Sequence, residues 1–326
     1  MAYYRFIIFA CLLAFAVILL GAYTRLADAG LGCPDWPGCY GHLTVPESAA
    51  HVTDKSYLEQ RPLEVAKGWK EMVHRYFAGT LGLVILVITL WSYIRRRSDP
   101  DQPVGLPTFL LALVIFQAAL GMWTVTLLLK PVVVMGHLLG GFATFGLLVL
   151  LALRAAPRQP PIVRNDWKAA GMLGIVILVA QIALGGWTSS NYAALACVDF
   201  PTCHGSWWPE MDFDEAFVLW RGLGVNYEYG VLEHPARTAI HVTHRIGAVV
   251  VLLYLGWLAL GVWRSKPALS RAAMLVGVLL LVQVSLGIGN VLLHLPLGVA
   301  TAHNGVAALL LASLIYLNYR LWQRPH

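Results

Sequence analysis

The sequence predicts an all-α membrane protein, with eight transmembrane helices arranged as two pseudo-symmetric four-helix bundles. Three observations lead there: an apolar composition, eight apolar runs of spanning length, and an internal repeat of about 165 residues. Of 326 residues, 58% are hydrophobic and only 12% charged, against about 25% charged in a soluble domain. Such a chain cannot hide its apolar surface in one water-soluble core, so the bilayer is its solvent. The net charge of +6 does not point to nucleic acid, because the basic residues sit in short segments between the apolar runs.

The runs fall near 6–24, 71–94, 106–127, 131–153, 169–189, 238–262, 269–291 and 298–322. Each is long enough as a helix to cross a hydrocarbon layer of roughly 30 Å, and helices satisfy their own backbone there. The first run shows no small-residue cleavage site and reads as a retained span. No Arg-rich, Ser-rich presequence precedes it, which favours a bacterial inner membrane.

Orientation follows from the short connections. Arg5, Arg95, Arg96, Arg97, Arg154, Arg158, Arg164, Lys168, Arg264, Lys266, Arg271, Arg320 and Arg324 lie on one side, 13 of the 23 basic residues. Both termini are therefore expected in the cytoplasm. The two long segments, near 25–70 and 190–237, are expected in the periplasm with most of the acids. Cys33, Cys39, Cys197 and Cys203 all fall in those segments, on the oxidising side. Cys11 lies within the first span and reads as a small apolar residue.

The two long segments match in detail. Gly21, Cys33, Asp35, Pro37 and Cys39 recur as Gly185, Cys197, Asp199, Pro201 and Cys203, each shifted by 164 residues. The pair Trp36 and Phe200 keeps the same shift. Gln117–Gly121 is echoed by Gln283–Gly287, and His137 by His303, both at 166. Glu71-Met72-Val73-His74-Arg75 corresponds to His241-Val242-Thr243-His244-Arg245 at 170. This is a tandem duplication of a four-span unit: 1–153, a linker over 154–168 with Pro157, Pro160 and Pro161, and 169–326. Bundle cores are a usual place for a cofactor held by side chains on facing helices.

Four of the eleven histidines stand out. His74, His137, His244 and His303 lie near the starts of the second, fourth, sixth and eighth spans, which all run inward from the outer side. Each half thus offers two imidazoles on alternate helices, the arrangement two axial ligands of one iron need. The alternative is a set of interfacial histidines satisfied by water or carbonyls, but intramembrane ionisable groups in repeat-related positions default to function. His241 and His244, at i and i+3, share a helix face and offer a chelate for a small ion instead. Glu71 in the equivalent place weakens that reading for both halves.

Gly136, Gly140 and Gly141 flank His137, Gly247 follows His244, and Gly305 follows His303. Small residues let a flat macrocycle approach the backbone, and equally let helices pack closely. Arg75 and Arg245 are placed to pair with heme propionates or to snorkel to headgroups. Glu71, one turn before His74, is placed for proton transfer beside a heme edge, or as a helix-start carboxylate favoured by the dipole. Its replacement by His241 is the main chemical difference between the halves. The cysteines, spaced Cys-x5-Cys, are not the pattern of covalent heme attachment. They read as two local disulfides, Cys33–Cys39 and Cys197–Cys203, with thiol exchange as a second use.

Together, the Glu-x-x-His-Arg motif at 71–75, His-x-x-His-Arg at 241–245, His137, His303 and the cysteine pairs resemble the heme A synthase family over nearly the whole chain. The resemblance implies an enzyme that oxidises a ring methyl of heme O to a formyl group by successive hydroxylations. It implies that His74 and His137 bind the substrate heme O, that Glu71 assists, and that His244 and His303 ligate a resident heme b. It ties Cys33 and Cys39 to activity or redox interplay. A heme O synthase and an electron-transfer partner are the expected protein partners. Two other readings compete: a diheme b-type electron-transfer cytochrome and a non-catalytic heme carrier. The first usually stacks its hemes at different depths, whereas all four histidines here lie near one face; the second has little use for Glu71.

Overall fold

The structure is a computed structural model and describes residues 2–157 and 166–323. Among these, eight long helices carry the fold and there is no strand: α1 (Ala2–Leu26), α2 (Val65–Arg96), α3 (Gly105–Thr126), α4 (Pro131–Ala155), α5 (Lys168–Ser190), α6 (His234–Ser265), α7 (Ser270–Leu292) and α8 (Leu297–Trp322). All eight are long and apolar enough to cross a membrane. Each predicted run has its helix. The largest difference is at α2, which begins at Val65 rather than 71; α1 and α6 each begin four residues early, at Ala2 and His234. Helices α2 and α6 each have 32 residues, or about 48 Å at 1.5 Å per residue. Both therefore outrun the hydrocarbon layer, and their first turns belong with the long segments. Pro157 is described; Pro160, Pro161, Arg158, Arg164 and Arg324 lie outside the described residues.

Packing runs around two rings. In the first half α1 packs on α2, α2 on α3, α3 on α4, and α4 back on α1; in the second α5, α6, α7 and α8 do the same. The halves meet where α1 and α4 contact α8 and α4 contacts α5. Glycines let these helices close up, as expected where lipid gives helix association no hydrophobic drive. A methyl group on Gly146 would lie 2.8 Å from Ile315 Cδ1, on Gly186 2.9 Å from Leu138 Cδ2, and on Gly305 2.7 Å from Leu19 Cδ2. Ile85, Leu110, Leu148, Leu255, Leu310 and Leu314 fill the buried core, while Leu12, Leu83, Leu253 and Leu281 project outward. In water that outer face would be a liability; here it is the lipid-facing surface.

The repeat runs finer than two halves. Helices α1, α3, α5 and α7 all end seven residues after a glycine, at a left-handed residue: Asp28, Leu128, Tyr192 and His294, with φ of 48°, 50°, 53° and 57°. In each case the next amide donates back five residues, Ala29 to Thr24, Leu129 to Thr124, Ala193 to Thr188 and Leu295 to Asn290. The left-handed residue itself donates to Arg25, Val125, Ser189 or Val291. This is one Schellman cap used four times. Left-handed backbone costs a non-glycine residue about 1–2 kcal/mol, so four such ends in register mark a helix hairpin repeated four times, twice in each half.

The long segments repeat as well. Cys33–Cys39 and Cys197–Cys203 are disulfide-bonded, and Cys39 pairs with His42 as Cys203 does with Ser206. Asp35 accepts from the Tyr40 and Gly41 amides, and Asp199 from those of His204 and Gly205. Across the halves, Arg61 of the first segment makes a two-pronged ion pair with Glu228 of the second, at 3.1 and 2.6 Å.

Candidate heme-binding site

His74 and His137 reach toward one another from α2 and α4. Their ring centroids are 6.3 Å apart, with planes at 87°. An imidazole–metal bond of about 2.0 Å on each side, plus the two ring radii, gives a separation close to this. The first pair therefore has room for one metal between its rings. Nδ1 of each is buried without a hydrogen-bond partner.

Each of the four histidines is seated against a glycine of the preceding long helix. A methyl group on Gly21 would lie 2.9 Å from Cε1 of His74; on Gly121, 3.4 Å from that of His137; on Gly185, 3.3 Å from that of His244; on Gly287, 3.2 Å from that of His303. In the sequence these four glycines stand out only as repeat markers, while those beside the histidines serve equally to admit a macrocycle or to pack helices closely; the structure decides between the two. Gly140 and Gly247 clear space for Gln117 and Gln181, Gly305 for Leu19, and only Gly141, with nothing within 4 Å, opens onto the cavity. The signal was present as Gln-x-x-x-Gly, which occurs at 117–121, 181–185 and 283–287.

All four histidines and Glu71 line a single cavity of about 1600 Å³ shared by both halves. Pockets that hold one drug-sized ligand run to about 300–1,000 Å³, so this one has space for more than one large flat molecule. Its walls are mostly apolar, from Ile18, Leu81, Val114, Phe142 and Leu252 among others. The chemistry of the donor set, imidazoles facing each other across an apolar space, suits an iron porphyrin.

Glu71 is 5% exposed. One oxygen takes the Arg75 guanidinium at 2.5 Å, and the other accepts from the Cys33 amide at 3.0 Å. Arg75 also donates to the Asp35 and Gly38 carbonyls. Glu71 thus ties the first disulfide loop to α2 while facing the cavity. His241 holds the same place in the second half, its Nδ1 2.9 Å from the Ala193 carbonyl oxygen. That bond fixes the ring through Nδ1 and leaves Nε2 as its other nitrogen. Arg245 donates to the Asp199 and Thr202 carbonyls. Both arginines are loop anchors in addition to any role toward propionates. His294 is exposed at the α7–α8 turn, away from the cavity lining.

The glutamines separate the halves. The Gln181 amide nitrogen lies 3.1 Å from Nδ1 of His244, and that of Gln283 lies 3.2 Å from Nε2 of His303. In the first half the Gln117 amide nitrogen is buried without a partner, and Val17 stands where the repeat shift of 164 places Gln181.

With this geometry in view, the sequence matches the COX15-CtaA family, cytochrome oxidase assembly proteins, over residues 4–315. The chain belongs to that family. Among its relatives, the heme A synthase of Shewanella oneidensis is 49% identical over 94% of this chain and 93% of its own length. The heme A synthase of a Chelativorans species is 30% identical over 91% of this chain and 84% of the relative. That of Halalkalibacterium halodurans is 25% identical over 92% and 91%. The COX15-CtaA match reaches into all eight helices and includes both cysteine loops and all four cavity histidines.

Proposed function

We propose that this chain is a heme A synthase, an oxidoreductase of heme A biosynthesis that oxidises a ring methyl of heme O to a formyl group through successive hydroxylations. The observation that carries this reading is the His74–His137 pair, 6.3 Å apart over the cavity with Glu71 one turn away on the same wall. Residues 1–153 hold the substrate, 169–326 hold a resident heme b through His244 and His303, and 154–168 join them. When bound, heme b supplies a redox centre that no side chain here could provide.

The chain's own residues do the rest. His74 and His137 grip the substrate iron from its two sides and so fix the macrocycle in depth and tilt. The apolar walls limit water at the oxidised carbon to what each hydroxylation consumes, its oxygen atom, while two electrons pass to the electron-transfer partner and two protons leave. Glu71 takes up the proton released there, and Arg75 holds its carboxylate in place. Arg75 and Arg245 pair with propionates while keeping their loop carbonyls. The chain lies in the bacterial inner membrane with both termini cytoplasmic and the cysteine loops periplasmic. A heme O synthase and an electron-transfer protein are the partners this chemistry calls for.

Co-expression with a heme O supply, followed by pigment extraction and chromatography, tests the reading. Heme A accumulates with the intact chain and falls sharply with Glu71→Ala or His74→Ala. Undiminished heme A in both variants would remove the proposed active site.

A further inference from the structure

Two imidazoles on opposite sides of one iron fix its position and the tilt of the macrocycle, but not its rotation. A porphyrin can still turn about the axis that joins the two nitrogens, and each turn brings a different edge to Glu71. An enzyme that oxidises one ring methyl therefore needs a grip away from that axis. The propionates, the charged edge of the macrocycle, are what a cation can hold. Arg75 and Arg245 are both drawn on by their loops. Nη1 of Arg75 donates to the Asp35 and Gly38 carbonyls and Nη2 to Glu71. Nη1 of Arg245 donates to the Thr202 carbonyl, and Nη2 to those of Cys197 and Asp199.

Arg25 is held differently. It lies on α1 one turn beyond Gly21, the seat of His74, and so on the same helix face about 6 Å further out. It lines the cavity, and its side chain is 16% exposed. The Thr24 hydroxyl donates to the Lys70 carbonyl, which ties this end of α1 to α2 immediately before Arg25 and Glu71. Cation and carboxylate thus stand at one rim of the first-half site. The second half steadies the guanidinium. Its Nη2 donates to the Ser189 carbonyl at 2.6 Å, and its carbon lies 4.1 Å from the centre of the Tyr192 ring. Asp28, at 3.7 Å, is beyond hydrogen-bonding range and its side chain is 42% exposed. Nε is buried without a partner, a costly state for a charged donor. Nη1 and Nε are thus the donors left for an anion in the cavity. In the second half the shift of 164 puts Ser189 in this place, one turn beyond Gly185.

We propose that Arg25 binds a propionate of the first-half heme and so sets the rotation that presents one ring edge to Glu71. The inference rests on the substrate site proposed above. It makes Arg25 a specificity-determining residue, distinct from those that grip the iron. A charge-assisted bond between guanidinium and carboxylate is roughly twice as strong as a neutral one and, when two-pronged, fixes direction as well. Because Ser189 and Tyr192 steady the guanidinium from the other half, the anchor does not turn with the substrate. A serine in the corresponding place leaves the resident heme to its imidazoles and Arg245.

Masking the propionates tests this. Full-length protein is titrated with heme O and with heme O dimethyl ester, which keeps the iron and the ring but loses both negative charges. First-site binding is followed optically, and proton NMR of the ferric protein records the heme-methyl resonances, which report rotation. Arg25→Gln should weaken binding of heme O about tenfold, leave binding of the ester as it is, and shift or double the methyl resonances. Arg25→Lys should fall between. An equal loss for acid and ester would make Arg25 a link between the halves and no more. That result, no loss at all, or a single unmoved set of methyl resonances overturns the proposal. If Arg25→Gln does not accumulate, Arg25→Lys decides, because it keeps the charge without the fork: it must weaken the acid and spare the ester. His74→Ala, run in parallel, separates the two levels: unchanged binding of both ligands there means the substrate-site assignment itself has failed.

Discussion

At Gly21 an added methyl group would lie 2.9 Å from Cε1 of His74, closer than real side-chain carbons approach. The imidazole is one turn from Glu71 and cannot retreat without disturbing the ring of its partner, His137. Gly21→Ala should therefore displace His74, at an overpacking cost of about 1–3 kcal/mol. The expected signature is a shift of the first-site heme from low spin toward high spin in optical spectra, with the second site unchanged. Gly79 lines the same cavity with nothing within 4 Å of its missing side chain, so Gly79→Ala should leave both spectra as they are. Comparable spectral changes in the two variants would mean that the glycine seats do not govern the ligands. On the proposed ligand assignment, His244→Ala should lose the second-site heme from the purified protein; a full complement would count against that ligand.

The cysteine loops are held by more than their disulfides. Each also has an aspartate cradle and an arginine from the following helix. Closing so short a loop contributes only about 2–3 kcal/mol, so mild reduction should leave the helices assembled. Unaltered helical circular dichroism and gel-filtration volume in detergent with reductant would bear this out. In the second loop the Gly205 amide, with the Thr202 hydroxyl, holds the Asp199 carboxyl well below the usual carboxylate range. Its folded pKa lies under the unfolded value of about 3.9. The stabilisation is thus complete above that value and is lost only as pH falls through the lower, folded one. Limited proteolysis of this loop should be flat with pH down to about 4, and Asp199→Asn should make the loop more sensitive already at neutral pH.

At the scale of the molecule, the halves are joined through α1, α4, α5 and α8 within the membrane and by Arg61–Glu228 outside it. Glu228 raises the Arg61 pKa by accepting its hydrogen bonds, and both side chains are largely buried. The geometry is two-pronged, the kind of pair that exceeds an ordinary surface contact. A double-mutant cycle with Arg61→Ala and Glu228→Ala should return a coupling of about 1 kcal/mol in thermal unfolding; none would mean that this ion pair does not help to hold the halves together. Membrane-impermeant thiol labelling of Ser206→Cys in intact cells, against Asp99→Cys as the internal control, checks the proposed orientation.

Spans, the twofold repeat, the four histidines and the cysteine pairing were legible because each leaves a linear trace: hydropathy over about 20 residues, a constant shift, or a short motif. Glu71 was legible as a candidate for the same reason, although its bonds to Arg75 and the Cys33 amide were not. What only the tertiary structure decided is which residues meet across helices. That His74 and His137 face each other at 6.3 Å, that Gly21 rather than Gly136 seats a ring, and that the Gln181 amide meets His244 all depend on helix rotation and interaxial distance. Those quantities are set by side-chain packing between segments up to 60 and more residues apart, a sum over many contacts that no local pattern encodes.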